Sequence, residues 1–242
     1  MTRVNGHDQP VGEPVPGWRP PPAPAPVTLE GTWVRLEPLS AAHASDLHVE
    51  TASRAHEPLW TYSADERPAS PEAVAAYVDR RAARPDLVTL VVVPRLSGRA
   101  SGLASWMRAD PANGVVEVGS ILLGPALQRT SAATEAMWLM ARHVFGLGYR
   151  RYEWKCDSLN GPSRAAAARL GFTYEGTFRQ ALVYKGRNRD TAWFSMTDRE
   201  WQALQPAYAT WLDPANFADP ETAGGQRRRL SALTLEALGQ TT

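Results

Sequence analysis

The run Val115-Val116-Glu117-Val118-Gly119-Ser120-Ile121-Leu122-Leu123 passes directly into Gly124-Pro125-Ala126-Leu127-Gln128-Arg129-Thr130-Ser131-Ala132-Ala133-Thr134-Glu135-Ala136. The first half reads as a β-strand, the second as a short turn opening into a helix start packed with small residues. A helix start leaves its first backbone N–H groups without partners inside the helix, so this junction suits an anion. A phosphate-bearing ligand is the first expectation it raises.

Hydrophobic period and chain breakers order the rest. Residues 27–39 form two short strands around the Gly31 turn, and Ser40 suits the cap of a helical stretch over 41–53. Ser70 and Pro71 open a better helix through Arg84. Strands follow at 87–94, 100–108 and, after the Asn113-Gly114 turn signal, 115–123. A long helix spans 131–147 and closes at Gly148; a strand covers 149–157. An Ala-rich helix over 162–170 stops at Gly171, and strands at 172–183 and 191–197 complete the pattern.

A chain of 242 residues, 43% hydrophobic and 21% charged, can bury one good core. A net charge of +1 gives no bulk pull toward nucleic acid or an anionic membrane. Cys156, the one cysteine, excludes an internal disulfide framework and a multi-cysteine metal site, and suits the reducing cytoplasm. No stretch reaches the ~18 apolar residues of a membrane span, and no signal peptide is evident.

Three segments result. Residues 1–26, with prolines from Pro10 to Pro26, read as a Pro-rich arm, mobile or wrapping, in which Trp18 docks on its own domain or on a partner subunit. Residues 27–204 hold the domain. Residues 205–242 are an extension interrupted by Pro206, Pro214 and Pro220, jointed at Gly224-Gly225, with a short helix from the Arg227-Arg228-Arg229 triplet to Leu238.

This order of elements, the Glu117-Val118-Gly119 strand, the Gln128 turn, Asn160 with Ser163, and Leu170-Gly171-Phe172 followed by Glu175-Gly176 together resemble the GNAT superfamily of acyl-CoA-dependent N-acyltransferases, and within it the RimJ/RimL type. The resemblance covers residues 27–204. It implies an α/β (α+β) fold in which a mixed, mostly antiparallel sheet contains a splayed parallel strand pair and is flanked by helices. It also implies acetyl-CoA as co-substrate, no metal, and an amine-bearing small molecule, an amino acid or a protein N-terminus as acceptor. Homodimers through edge strands are common in the superfamily.

The superfamily's pyrophosphate turn, Gln/Arg-x-x-Gly-x-Gly/Ala, falls on Gln128, Arg129, Thr130, Ser131, Ala132 and Ala133, so Ser131 stands where glycine is usual. Serine narrows the φ/ψ choice and adds a hydroxyl donor. Arg129 either adds a charge-assisted bond to phosphate or points to solvent, and Thr134 has a similar ambiguity. The splayed strands imply that backbone N–H of Leu122 or Leu123 holds the oxyanion. Asn160 matches the asparagine that holds pantetheine and Ser163 the serine proposed to protonate the leaving thiolate; both types also cap helices.

Glu117, eleven positions before Gln128, resembles in spacing the general-base glutamate of some histone-acetylating relatives; otherwise it is a structural carboxylate paired on the sheet surface. The acceptor region is assigned to Glu57, Trp60 and Tyr62 of the loop between the first helices, with Trp106 from the preceding hairpin. Lys185, Arg187 and Arg189 on a hairpin tip suggest an acidic acceptor or a CoA phosphate contact, or simply a solvated tip. Cys156, within a strand and without a matching histidine, reads as buried and inert. A non-catalytic acyl-CoA-binding module, and use of another acyl group such as succinyl, are the alternatives.

Overall fold

The computed structural model describes residues 3–217 and 225–239. In chain order the elements are a short hairpin, β1 (Arg3–Val4) and β2 (Pro10–Val11), then β3 (Leu29–Glu30), β4 (Val34–Pro38), α1 (Ala44–Leu47), α2 (Pro71–Ala82), β5 (Leu87–Pro94), β6 (Gly102–Asp110) and β7 (Val115–Leu123). After these come α3 (Ser131–Leu147), β8 (Arg151–Asp157), α4 (Gly161–Arg169), β9 (Thr173–Tyr184), β10 (Arg187–Thr197), α5 (Asp198–Leu212) and α6 (Leu230–Ala237).

Sequence chemistry accounts for the helix ends. Ser70 accepts the Ala73 N–H at the start of α2, and Thr130 accepts the Ala133 N–H at the start of α3. Gly148, at φ +101°, ends α3 in the left-handed conformation that glycine adopts without strain. The expected helix over 41–53 breaks into a 3₁₀ turn (Ala41–His43), α1 and a π turn (His48–Ala52), where the Thr51 hydroxyl bonds back to the Leu47 carbonyl at 2.7 Å.

Strands β3 to β10 form one sheet in the order β3-β4-β5-β6-β7-β8-β10-β9. Every neighbouring pair is antiparallel except β7 and β8, which run parallel from Val115 opposite Arg151 to Val118 opposite Trp154. Beyond Val118 and Trp154 the two strands no longer pair, so Gly119–Leu123 keeps partners only on β6. One sheet face packs Val116, Val118, Tyr152 and Trp154 against α3 and α5; the other packs Val91, Val93 and Leu103 against Leu47 of α1 and Val74 and Val78 of α2. Buried Glu135 of α3 accepts the backbone N–H groups of Thr32, Trp33 and Val34 at 2.8, 2.6 and 3.0 Å, which ties the β3–β4 turn to the helix that follows the splay.

Both tails are more integrated than their proline content suggests. Trp18 donates its indole N–H to the Ala112 carbonyl (3.0 Å) and lies beside Gly114 and Arg150, and Pro21 and Pro24 are buried, so this part of the arm wraps its own domain. The boundary expected after Leu204 falls inside α5, whose Trp211 and Leu212 join the main core; Pro206 sits within the helix, and a Thr197–Glu200 capping box starts it. Helix α6 adds Leu230 and Leu233 to the same core. Pro220 and Gly224 lie outside the described residues.

Candidate functional site

The divergence of β7 from β8 opens next to the start of α3, and the turn between them is specific. Gln128 donates its side-chain N–H to the Leu123 carbonyl at 2.9 Å, and Thr130 donates its hydroxyl to the Leu127 carbonyl at 2.7 Å while accepting Ala133 N–H. The N–H groups of Leu127 and Gln128 both go to the Gly124 carbonyl, and that of Thr134 to the Thr130 carbonyl. Among the described residues no acceptor meets the backbone N–H groups of Arg129, Thr130, Ser131 and Ala132. Four consecutive unpartnered donors at the start of a 17-residue helix form a cradle for an anion.

The left-handed residue of this turn is Arg129 (φ +62°), whereas Ser131 is the first residue of α3 and needs no glycine conformation. Serine is therefore compatible with the turn. Thr134 is buried and accepts the Arg169 guanidinium at 2.7 Å, so its side chain faces the interior and not the cradle.

The strand that enters the cradle carries a bulge. The β6–β7 register shifts between Leu103–Leu122 and Ser105–Gly119, and Ser120 takes φ +53°. Its carbonyl accepts Arg81 Nη2 at 3.0 Å; the same guanidinium, 5% exposed, also donates to Thr89 Oγ1, Ser105 Oγ and Tyr77 Oη. Gly119 precedes the bulge where side-chain space runs out: an added Cβ would fall 2.6 Å from Met107 Sδ and 2.9 Å from Glu117 Oε1. Sequence reasoning passed over Arg81, which reads as an ordinary helix-end cation; the sign was an arginine on the same helical face as Val74 and Val78. Leu122 and Leu123 lie on the diverging segment beyond the bulge, where an N–H turned toward the gap has no β8 partner.

Asn160 and Ser163 meet at the start of α4. The Ser163 N–H donates to Asn160 Oδ1 (3.1 Å), and the Trp154 indole N–H donates to Ser163 Oγ (3.0 Å). The helix-capping role is thus real for Asn160, and it leaves the amide nitrogen for a ligand. Burial pushes the Cys156 thiol up, with the Ser163 hydroxyl working partly against it, so Cys156 is a poor nucleophile.

Glu117, 3% exposed, is gripped by two cations: Arg108 Nη1 at 2.8 and 2.9 Å and Lys155 Nζ at 2.9 Å. Lys155 also meets Glu153 at 2.8 Å and stands 3.8 Å from the Trp193 ring centre. The network runs on through Arg151 to Glu175, where the paired guanidinium and the Ser195 hydroxyl hold the Glu175 carboxyl below its ordinary range and Glu175 raises Arg151 in turn. Such pairing is that of a structural carboxylate on the sheet face.

The acceptor residues separate into two groups. Trp106, 1% exposed, stacks on His143 of α3 at 4.9 Å within the core, and Trp60 is buried with its N–H on the Thr51 carbonyl (2.8 Å) and its ring edge-on to Tyr77. Neither presents a surface to an acceptor, which corrects the expectation for both; large apolar rings on β6 and next to α2 were drawn into the two cores. Glu57 is exposed, and the Tyr62 hydroxyl reaches the Leu159 carbonyl at 3.1 Å. The β9–β10 tip fastens this loop: Lys185 Nζ donates to the Trp60 carbonyl (2.8 Å) and Arg187 Nη2 to the Thr61 carbonyl (3.1 Å). These two cations thus tie the loop to the hairpin tip, while Tyr62 ties it to the turn after β8.

Comparison with known proteins agrees with this geometry. The acetyltransferase (GNAT) domain family matches residues 34–173. A GCN5-related N-acetyltransferase from Brucella melitensis is similar at 45% identity over 91% of this chain and 99% of that one, with a TM-score of 0.87. A probable acetyltransferase (GNAT family) from Chromobacterium violaceum is 38% identical over 80% and 98% of the two chains, TM-score 0.74. An acetyl transferase from Salmonella typhimurium that modifies the N-terminal serine of ribosomal protein L7/L12 shares the fold at 21% identity over 69% and 96%, TM-score 0.60. No curated protein matches the chain. The splayed parallel pair, the anion cradle and these matches identify the chain as a member of the GNAT family of acetyltransferases.

Proposed function

We propose that the protein transfers the acetyl group of acetyl-CoA to a primary amine by direct attack within a ternary complex. The observation that carries this reading is the row of four free N–H groups, Arg129 to Ala132, at the mouth of the β7–β8 splay. A pyrophosphate fits it in charge and in donor number, and the exposed Arg129 supplies the first of the four N–H groups. The free amide nitrogen of Asn160 would hold the pantetheine arm, and whichever N–H of Leu122 or Leu123 faces away from β6 the thioester oxygen.

The thioester supplies the acetyl group. As the amine nitrogen forms the new C–N bond, the C–S bond breaks and the proton shed by nitrogen is balanced by the one the thiolate takes up. The amine attacks as the neutral base after its ammonium proton has passed to solvent, and Ser163, which already accepts the Trp154 N–H, gives its proton to the leaving sulfur and regains the one that nitrogen sheds. Glu117 serves here as the anchor of the cleft floor through Arg108 and Lys155. The ribosomal-protein likeness favours a protein N-terminus among the acceptors, beside amino acids and small amines. Buried, free Cys156 suits a reducing, cytoplasmic setting.

Isothermal titration with acetyl-CoA, succinyl-CoA and CoA tests the reading, with Asn160→Ala beside the wild type. Tightest binding of acetyl-CoA, weakened by the substitution, is expected. Preference for succinyl-CoA would change the acyl group, and the absence of binding to all three would refute the acyltransferase reading.

A further inference from the structure

Asp157 is the last residue of β8 and is 4% exposed. It pairs across from Thr191 and stands two residues beyond Lys155, which places it on the sheet face that carries Lys155 and Glu117, on the segment of β8 that has already parted from β7. Its Oδ2 accepts the Tyr184 hydroxyl at 2.8 Å and its Oδ1 the Leu159 N–H at 2.9 Å. Its backbone carbonyl accepts the Asn160 N–H at 2.9 Å. The carboxylate thus lies between the proposed pantetheine contact, Asn160, and Tyr184 of the hairpin whose tip holds the Trp60–Thr61 loop.

Its charge balance sets it apart. Glu117 and Glu153, the other buried carboxylates of this face, are each paired with cations. Among the described residues no Lys, Arg or His nitrogen lies within ion-pair distance of Asp157. A buried carboxylate without a counter-charge is costly, and a site that keeps one needs a cation from elsewhere. Burial and the bond to Asp157 push the Tyr184 phenol up to about 12, so it stays a neutral donor whose oxygen keeps lone pairs for the same cation. At the hairpin tip Lys185 and Arg187 donate to the Trp60 and Thr61 carbonyls, and Arg189, whose Nε donates to Thr191 Oγ1, keeps its guanidinium carbon 5.9 Å from the Tyr184 ring centre.

We propose that Asp157, with Tyr184 beside it, receives the ammonium group of the acceptor, and that the acceptor is a primary amine with no carboxylate on the carbon that bears the nitrogen, the chemistry of a peptide N-terminus or an alkylamine. This rests on the amine-acetylation reading above. A free amino acid would bring its own carboxylate up against that of Asp157, and like charges at that range repel.

The test follows CoA thiol release from acetyl-CoA with glycinamide, propylamine and glycine as probes, in the wild type, Asp157→Asn and Tyr184→Phe, while titration calorimetry reads acetyl-CoA affinity in the same preparations. The expected result is turnover of glycinamide and propylamine well above glycine, a fall in kcat/KM for the amine of about 10- to 100-fold in Asp157→Asn, and a smaller fall in Tyr184→Phe. Acetyl-CoA affinity stays unchanged in both variants, and because the asparagine removes an unpaired charge it leaves Tm no lower. Wild-type kcat/KM in a folded Asp157→Asn overturns the proposal. So does glycine turned over as well as glycinamide, or a wild type that binds acetyl-CoA and releases no thiol with either carboxylate-free amine. A wild type that does not bind acetyl-CoA fails at the preceding reading instead.

Discussion

Replacing Ser131 by proline removes one hydrogen-bond donor from the proposed phosphate cradle and almost nothing else. Ser131 is the first residue of α3, the position at which proline is best tolerated because its missing N–H has no partner inside the helix. The preceding Thr130 already holds φ −99° and ψ 163°, the extended conformation that a following proline demands, and its cap to the Ala133 N–H is untouched. A hydrogen bond from a neutral N–H to a charged phosphate is worth about 1.5–3 kcal/mol net. At about 1.4 kcal/mol per decade, CoA should bind Ser131→Pro about 10- to 150-fold more weakly. Stability should hold or rise by about 0.4–1 kcal/mol, since proline restricts the unfolded chain. Calorimetric titration with CoA and with S-acetylpantetheine, which lacks phosphate, separates the cradle from the arm-binding groove: the first should weaken and the second should not. Ser131→Ala, which keeps the N–H, isolates the hydroxyl. Unchanged CoA affinity in a Ser131→Pro protein of undiminished Tm would refute the assignment of these N–H groups to phosphate.

Glu117→Gln leaves Arg108 and Lys155 short of a counter-charge; with Arg108 half exposed, a loss of about 1–3 kcal/mol is expected, seen as a Tm lowered by several degrees, with kcat reduced less than about tenfold. A loss of kcat of about 100-fold at unchanged Tm would restore Glu117 as the base. Arg81→Met strips the Ser120 carbonyl of its side-chain donor while Thr89 and Ser105 keep their mutual bond, so stability should fall by about 2–4 kcal/mol and kcat should fall with acetyl-CoA affinity retained; urea titration and steady-state kinetics check both, and unchanged kcat would remove the bulge from the argument. For Glu175 the sign follows from its lowered carboxyl: the stabilisation is complete above the unfolded carboxylate's pKa and is lost as pH falls through the lower folded value. Glu175→Gln should therefore lower Tm near pH 7 and converge on the wild type in acid, and a Tm difference that persists in acid would show that it is not the charge that counts.

What the sequence disclosed and what it withheld follow the reach of each interaction. The span of α3 and its Gly148 stop, the Ser70 cap of α2, the eight residues of β5 and the extent of β7 were legible because period, caps and breakers act within a few positions. The strand pair that splays was legible only through the family resemblance, since nothing in Val115–Leu123 announces which strand lies beside it. The two misplaced tryptophans are claimed by contacts from other elements. Trp60 and Trp106 carry the composition of a binding loop, yet Thr51, Tyr77 and His143 claim their rings. Glu117 has the position of a base, yet Arg108 and Lys155, which surround it, arrive from two different strands. Asp157 shows the converse. In the sequence it is one acid among 25 Asp and Glu residues, and only the fold reveals that, among the described residues, no cation stands within ion-pair distance of it. A side chain's type states what chemistry it can do; whether it is free to do so depends on which partners the fold has already assigned, and here the paired glutamate holds the sheet together while the unpaired aspartate is left for a ligand.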